Sequence, residues 1–144
     1  MRDYTKIKAW QLADDLTVAV YRSTQSFPRD EMYSLTSQLR RSAYSVPANI
    51  TEGSSRDSKK DYLHFLYIAR GSLSEAQYFV HLARRLGYLT EEKATDLGGQ
   101  IKLTFGCLHG LISSVEKEAG KIGKVIASVT SLLAIGFVRW SSSQ

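Results

Sequence analysis

Apolar residues recur along most of this chain at alternating steps of three and four, the spacing of a helix with one buried face. The first such run extends from about Ile7 to Gln25, carries Trp10, Ala13, Leu16, Val20 and Tyr21, and stops before Phe27-Pro28. A second starts near Asp30, a residue able to cap it, and continues through Met32, Leu35, Leu39, Ala43, Val46 and Ile50. A third opens at Ser58, where Ser58-Lys59-Lys60-Asp61 fits a capping box with Asp in place of Glu. Its stripe is Tyr62, Phe65, Ala69, Leu73, Ala76, Val80 and Ala83, and Gly87 is placed to end it. Thr90 caps a fourth, with Glu91 and Glu92 at the positive end of the helix dipole and Leu97, Ile101, Leu108, Ile112 and Val115 along one face. No segment sustains period-two alternation. The pattern predicts an all-α protein in which residues 1–118 form an antiparallel up-down-up-down four-helix bundle.

Residues 119–144 have a different character. Gly120 and Gly123 interrupt the pattern, so that Gly120-Lys121-Ile122-Gly123-Lys124 predicts a hinge, and Val125 to Val138 then runs 14 residues without a charge before Arg139. A membrane span needs about 20 such residues, so none is expected. Val125, Val129, Leu132, Gly136 and Trp140 share one face of a fifth helix. This apolar C-terminal segment is expected to pack on the bundle or on a neighbouring subunit; a mobile tail and association with a membrane surface are the alternatives.

Composition narrows the class. With 144 residues, 43% hydrophobic and 23% charged, the chain can bury a core without disulfides or metal. Cys107 stands alone, so no intrachain disulfide forms, which suits a reducing cytoplasm. The polar start Met1-Arg2-Asp3-Tyr4-Thr5-Lys6 lacks the apolar stretch of a signal peptide, and a cytoplasmic protein is expected. The net charge of +5 is unevenly placed: residues 1–118 hold 16 Lys and Arg against all 14 Asp and Glu, and Lys121, Lys124 and Arg139 supply the rest. The main body is only mildly basic.

Candidate chemistry is sparse. His64, His81 and His109 share no helical turn, so the metal-ligand spacing of i, i+3 or i, i+4 is missing, and no metal or cofactor is expected. Cys107 and His109, two apart, point to different sides of a helix, which spoils a thiolate-imidazole pair. The glycines around Lys121 and Lys124 lack the gap and the following Ser or Thr of a phosphate loop. Glu52 and Glu75 sit among apolar neighbours, and pairing with Arg40, Arg41, Arg56 or Arg70 is expected of them before acid-base work. No catalytic residue is nominated. Arg40-Arg41, Arg56, Lys59-Lys60 and Arg84-Arg85 form four small basic clusters with Tyr44, Tyr62, Tyr67, Tyr78 and Tyr88 interleaved. Such a set tracks a phosphate backbone while tyrosines stack on unpaired bases, or else forms ordinary solvated helix faces.

One stretch stands apart: Ser45-Val46-Pro47-Ala48-Asn49-Ile50-Thr51-Glu52-Gly53-Ser54-Ser55-Arg56. Pro47 has no amide hydrogen and its ring crowds the carbonyl of residue 43, which predicts a kink or restart of the second helix. Asn49 is expected to satisfy freed backbone groups, Gly53 to close the helix in the left-handed conformation, and Glu52 with Arg56 to pair across the turn.

Together with Leu35-Thr36-Ser37-Gln38-Leu39-Arg40-Arg41-Ser42-Ala43, Trp10-Gln11-Leu12-Ala13, Phe27-Pro28 and the run Phe65-Leu66-Tyr67-Ile68-Ala69-Arg70-Gly71-Ser72-Leu73-Ser74-Glu75, this stretch resembles the 23S rRNA intervening-sequence protein family of bacterial four-helix-bundle proteins. The resemblance covers about residues 4–116; the C-terminal segment departs from it. It implies a small up-down bundle that assembles into a ring, typically a homopentamer, with no enzymatic activity assigned. A related branch, the accessory proteins of diversity-generating retroelements, partners a reverse transcriptase and binds nucleic acid through a basic ring surface. Five copies of a +5 chain would place about +25 on one particle, so that weak patches add through multivalency. The expected function is therefore that of a homo-oligomer binding structured RNA or DNA, with Arg40, Arg41, Arg56, Lys59, Lys60, Arg84 and Arg85 on phosphates. The alternative is a protein-protein adaptor, for example for a reverse transcriptase, whose interface is formed by the segment containing Ser45, Pro47, Asn49, Ile50, Glu52 and Gly53 together with the apolar C-terminal segment.

Overall fold

Four helices follow the four apolar stripes: α1 (Lys8–Ser23), α2 (Leu35–Ser54), α3 (Lys59–Arg85) and α4 (Glu91–Ser141). The computed structural model describes residues 2–141, with side chains through Gly120, and the described residues contain no strand. Pairs of residues fix the helix directions. Thr17 meets Ala43 and Trp10 meets Thr51, so α1 and α2 are antiparallel. Ser45 meets Ser72, and Gly53 lies against Tyr62, so α2 and α3 are antiparallel. Arg84 meets Glu91 while Tyr67 meets Glu116, so α3 and α4 are antiparallel. With α4 packing back on α1, the bundle closes in the expected up-down-up-down order.

The core is the sum of the stripes. Leu16, Leu39, Ile50, Leu66, Leu73, Leu97, Ile101 and Leu108 are fully buried, each stabilising the fold by about 2 kcal/mol through removal of apolar surface from water. In α3 the buried residue at this level is Leu66 rather than Phe65, which lies at the edge of the core beneath the Arg56 guanidinium. In α4 the stripe is completed by fully buried Thr104, whose hydroxyl donates to the Gln100 carbonyl at 2.8 Å. Trp10 is half-buried, its indole N–H donating to Thr51 Oγ1 at 2.9 Å, and Tyr21 is exposed.

Three helix ends follow their local chemistry, and the start of α2 does not. Ser58 Oγ accepts from the Asp61 amide at 3.0 Å and donates to its carboxylate at 2.6 Å, the expected start of α3. Gly87 adopts φ +75° just past α3, and Thr90 Oγ1 accepts from the Lys93 amide at 3.2 Å to begin α4. The exception is α2, which does not start at Asp30. Phe27 and Pro28 are extended, a 3₁₀ turn covers Arg29–Glu31, and the helix begins at Leu35. Phe27 is buried against the Tyr88 ring, and the turn that returns the chain to the core at Leu35 leaves Met32 outside it. Glu31 supplies the cap: its carboxylate accepts from the Leu35 amide at 3.1 Å and from the Ser34 hydroxyl. The Ser34 hydrogen bond, then that of Leu35, holds the Glu31 carboxyl below its ordinary pKa.

The anticipated hinge is also replaced by helix. The backbone of α4 passes through Gly120–Lys124 without interruption and is helical as far as Ser141, the last described residue. The expectation that an apolar face of residues 119–144 packs on the bundle or on a neighbour concerns side chains that lie, from Lys121 on, outside the described residues.

Candidate functional site

The proline-containing segment is a continuous part of α2, not a break. Pro47 is buried within the helix and leaves the Ala43 carbonyl without its intrahelical donor. The Thr17 hydroxyl of α1 fills that place, 3.1 Å from Ala43 O and shared with Ala13 O at 2.8 Å. The freed carbonyl is thus satisfied across the helix interface rather than by Asn49. Asn49 instead donates to Ser45 O at 2.8 Å and Ser45 Oγ at 3.0 Å. Gly53 also differs from expectation, because its φ is not positive. A Cβ there would stand 2.9 Å from Phe65 Cβ and 2.9 Å from Tyr62 Cδ2, so the missing side chain is what lets α2 and α3 approach closely. Ile50 lies in the core, and Glu52 pairs with Arg56 across the end of α2 as expected. The N-terminal arm straps this end: the Arg2 amide donates to Ser54 O and its guanidinium to Arg56 O, each at 3.2 Å, with the guanidinium stacked over Tyr62.

Away from Gly53 the same seam opens. Gln38, Arg41, Ser42 and Ser45 of α2 and Ser72 and Glu75 of α3 line a polar groove of about 250 Å³. The helical spacing accounts for it. Positions 38, 42, 45 and 49 form a polar stripe beside the apolar stripe of Leu39, Ala43, Val46 and Ile50, and short serines at the seam cannot fill the space between helices. The floor is a hydrogen-bonded chain in which Asn49 donates to Ser45 Oγ and Ser45 shares a proton with Ser72 Oγ at 2.9 Å. Whichever serine donates, one hydroxyl proton is left over for the groove. Arg41 and Glu75 line the groove as exposed groups, and neither closes an ion pair among the described residues. The pairing of Glu75 with arginine expected from sequence is not formed.

The seven basic residues separate into two groups. Arg40 donates to Thr24 Oγ1 at 2.8 Å and stacks over Tyr21, Arg56 pairs with Glu52, Lys59 pairs with Glu118, and Arg84 pairs with Glu91. Arg41, Lys60 and Arg85 are exposed and have no ion pair among the described residues. Lys60 and Arg85 lie at opposite ends of α3, roughly 37 Å apart along a helix of this length, so a single protomer does not gather the set into one patch. The interleaved tyrosines divide likewise. Tyr62 is buried, Tyr67 donates to Glu116 at 2.5 Å, and Tyr88 donates to Glu31 at 3.2 Å. The bond to Glu116 raises the Tyr67 pKa, and burial followed by the bond to Glu31 raises that of Tyr88. Tyr44 and Tyr78 remain exposed. Each is three residues beyond a groove residue on its own helix, Tyr44 after Arg41 and Tyr78 after Glu75, so the two tyrosines flank the groove.

Gln38, Ser42 and Ser72 were not singled out by sequence, and a polar run at the period of the apolar one was the available signal. Among the described residues no three His, Cys, Asp or Glu side chains converge on a point. On the outward side of α4, Gly99 and Gly106 leave a shallow hollow around exposed Leu103.

Comparison with known proteins agrees with this architecture. No curated protein shows detectable similarity. A protein of unknown function from the S23 ribosomal protein family of Bacteroides thetaiotaomicron VPI-5482 superposes with a TM-score of 0.67 at 22% identity, covering 73% of this chain and 95% of that one. The likeness establishes the shared fold. The family model described as 23S rRNA-intervening sequence protein matches residues 5–110, which takes in α1, α2, α3, the groove and most of the packed part of α4. This four-helix bundle, matched over that span, belongs to the 23S rRNA-intervening sequence protein family.

Proposed function

We propose that this chain is a non-enzymatic, homo-oligomeric bundle that binds structured RNA or DNA through surfaces repeated around the assembly. The observation that carries the reading is the outer face of the α2–α3 pair, where the exposed cation Arg41 stands with two exposed tyrosines, Tyr44 and Tyr78. A guanidinium attracts phosphate, and tyrosine rings stack on unpaired bases. Arg41, Lys60 and Arg85 are the first phosphate contacts in this reading, and the four tethered cations act chiefly in holding the fold. One protomer offers too few contacts in one place, so affinity depends on assembly, which the family resemblance implies to be a ring of five. The outward face of α4 supports self-association: Leu103 is 62% exposed beside Gly99 and Gly106, and small residues allow a second helix to approach. The family's description concerns a 23S rRNA intervening sequence, which makes rRNA fragments the first ligands to try. Light scattering on the full chain with and without such a fragment tests the reading. An oligomer that retains RNA supports it, and a monomer, or an oligomer that retains none, contradicts it.

A second reading, an adaptor for a protein such as a reverse transcriptase, is favoured by one observation. Tyr33 is 94% exposed, and Met32 and Leu86 are also exposed on two turns joined by the Tyr88–Glu31 hydrogen bond. Purification with a protein partner and without nucleic acid would support this second reading.

A further inference from the structure

We infer that the Arg41–Glu75 groove is a pocket for a single unpaired guanine base of RNA, an inference that rests on the nucleic-acid reading above and names what that surface selects. The starting point is Glu75. On a face that only contacts phosphate, a carboxylate beside Arg41 repels the ligand, and if its role were structural it would be expected to pair with that arginine. It does neither: both side chains line the same groove, unpaired among the described residues. A ligand that satisfies them together must offer acceptors to a guanidinium and donors to a carboxylate. An ionised carboxylate only accepts, and a guanidinium only donates.

Among the bases, guanine meets both requirements. Its O6 and N7 accept from arginine in a bidentate pair, and its N1–H and N2–H₂ donate side by side, matching the two oxygens of a carboxylate. Adenine and cytosine offer the carboxylate a single exocyclic amine, and uracil one ring N–H. The leftover hydroxyl proton of the Ser45–Ser72 pair adds a donor on the floor, and the Gln38 amide adds one on the wall that carries Arg41. The volume of about 250 Å³ is below that of a typical drug-sized site and suits one planar base. Tyr44 and Tyr78 flank the opening as stacking surfaces for that base or its neighbours. The short serines have a reason in this arrangement, since larger side chains at 42, 45 or 72 would fill the space.

The test uses the full chain and fluorescently labelled RNA hairpins that differ at one loop position, read by anisotropy. A guanosine loop should bind at least about tenfold more tightly than an adenosine loop. Inosine, which lacks N2–H₂, and 7-deazaguanosine, which lacks N7, should each lose part of that preference. Glu75→Gln and Arg41→Gln, with folding checked by circular dichroism, should each bring the guanosine-to-adenosine ratio to within about twofold of one. Equal affinity of the wild-type chain for all four loops overturns the pocket while leaving RNA binding intact. Binding to none overturns the nucleic-acid reading and the pocket with it. A change in oligomeric mass in Glu75→Gln or Arg41→Gln also overturns the pocket, because the groove would then be filled by a second copy.

Discussion

Arg40 and Arg41 are neighbours in sequence and unlike in structure. Arg40 is half-buried, bonded to Thr24 and stacked on Tyr21, whereas Arg41 faces the groove with no ion pair among the described residues. Arg84 and Arg85 are both exposed, and they divide by partner: Arg84 is paired with Glu91, and Arg85 has no ion pair among the described residues. Adjacent helical positions are rotated by about 100°, so one member of each doublet reaches a partner on a neighbouring element and the other does not. A pair of arginines therefore does not mean a double dose of the same function. The tethered member stabilises the bundle, and the projecting member is available to a ligand.

Substitution should separate the two groups. The largest effect is expected from the projecting set: Arg41→Ala, Lys60→Ala and Arg85→Ala combined should weaken RNA binding about 100-fold and flatten its salt dependence, with the melting temperature little changed. Anisotropy titrations and thermal melts check both halves of that statement. Arg40→Ala should do the reverse. Loss of its hydrogen bond and its packing on Tyr21 should cost about 1–2 kcal/mol in urea unfolding, while RNA affinity stays within about twofold. Arg56→Ala should cost less, about 0.5–1 kcal/mol, since its pair with Glu52 is solvent-exposed and the stacking on Phe65 is modest. If Arg40→Ala abolished RNA binding without loss of stability, the division would be wrong.

The smallest effect serves as a control on an anion outside both groups. Glu31 has its pKa held below the ordinary 4.5, so the stability it contributes is present above that value and is lost as pH falls through the lowered one. Glu31→Gln should remove that part of the acid dependence and leave stability near neutral pH reduced but flat between pH 5 and 7, as followed by melts across the range.

How much of this was legible in the sequence depended on where each residue's partner lay. The Ser58–Asp61 box, Gly87 and the Thr90 cap act within a few residues, and periodicity with local chemistry located them. Pro47 and Gly53 were read for backbone conformation, yet their partners are Thr17 on α1 and Tyr62 and Phe65 on α3. Nothing within α2 announces that a threonine 26 residues before Ala43 will satisfy its carbonyl. The start of α2 was misplaced because Met32 continues the apolar spacing, although burial of Phe27 sets where the chain turns. The groove is hidden in the sequence for a similar reason: its serines are unremarkable on either helix and become a site only where the helices face each other. Tethered and projecting cations are likewise indistinguishable until tertiary partners are known.

The most direct measurement is the affinity of the chain for an rRNA fragment as salt is raised from about 50 to 200 mM, with mass followed by light scattering in the same buffers. The account predicts an intact oligomer whose affinity falls log-linearly and steeply, more steeply than the few exposed cations of a single protomer could produce. An intact oligomer that binds RNA with no dependence on salt, or does not bind it at all, would contradict it.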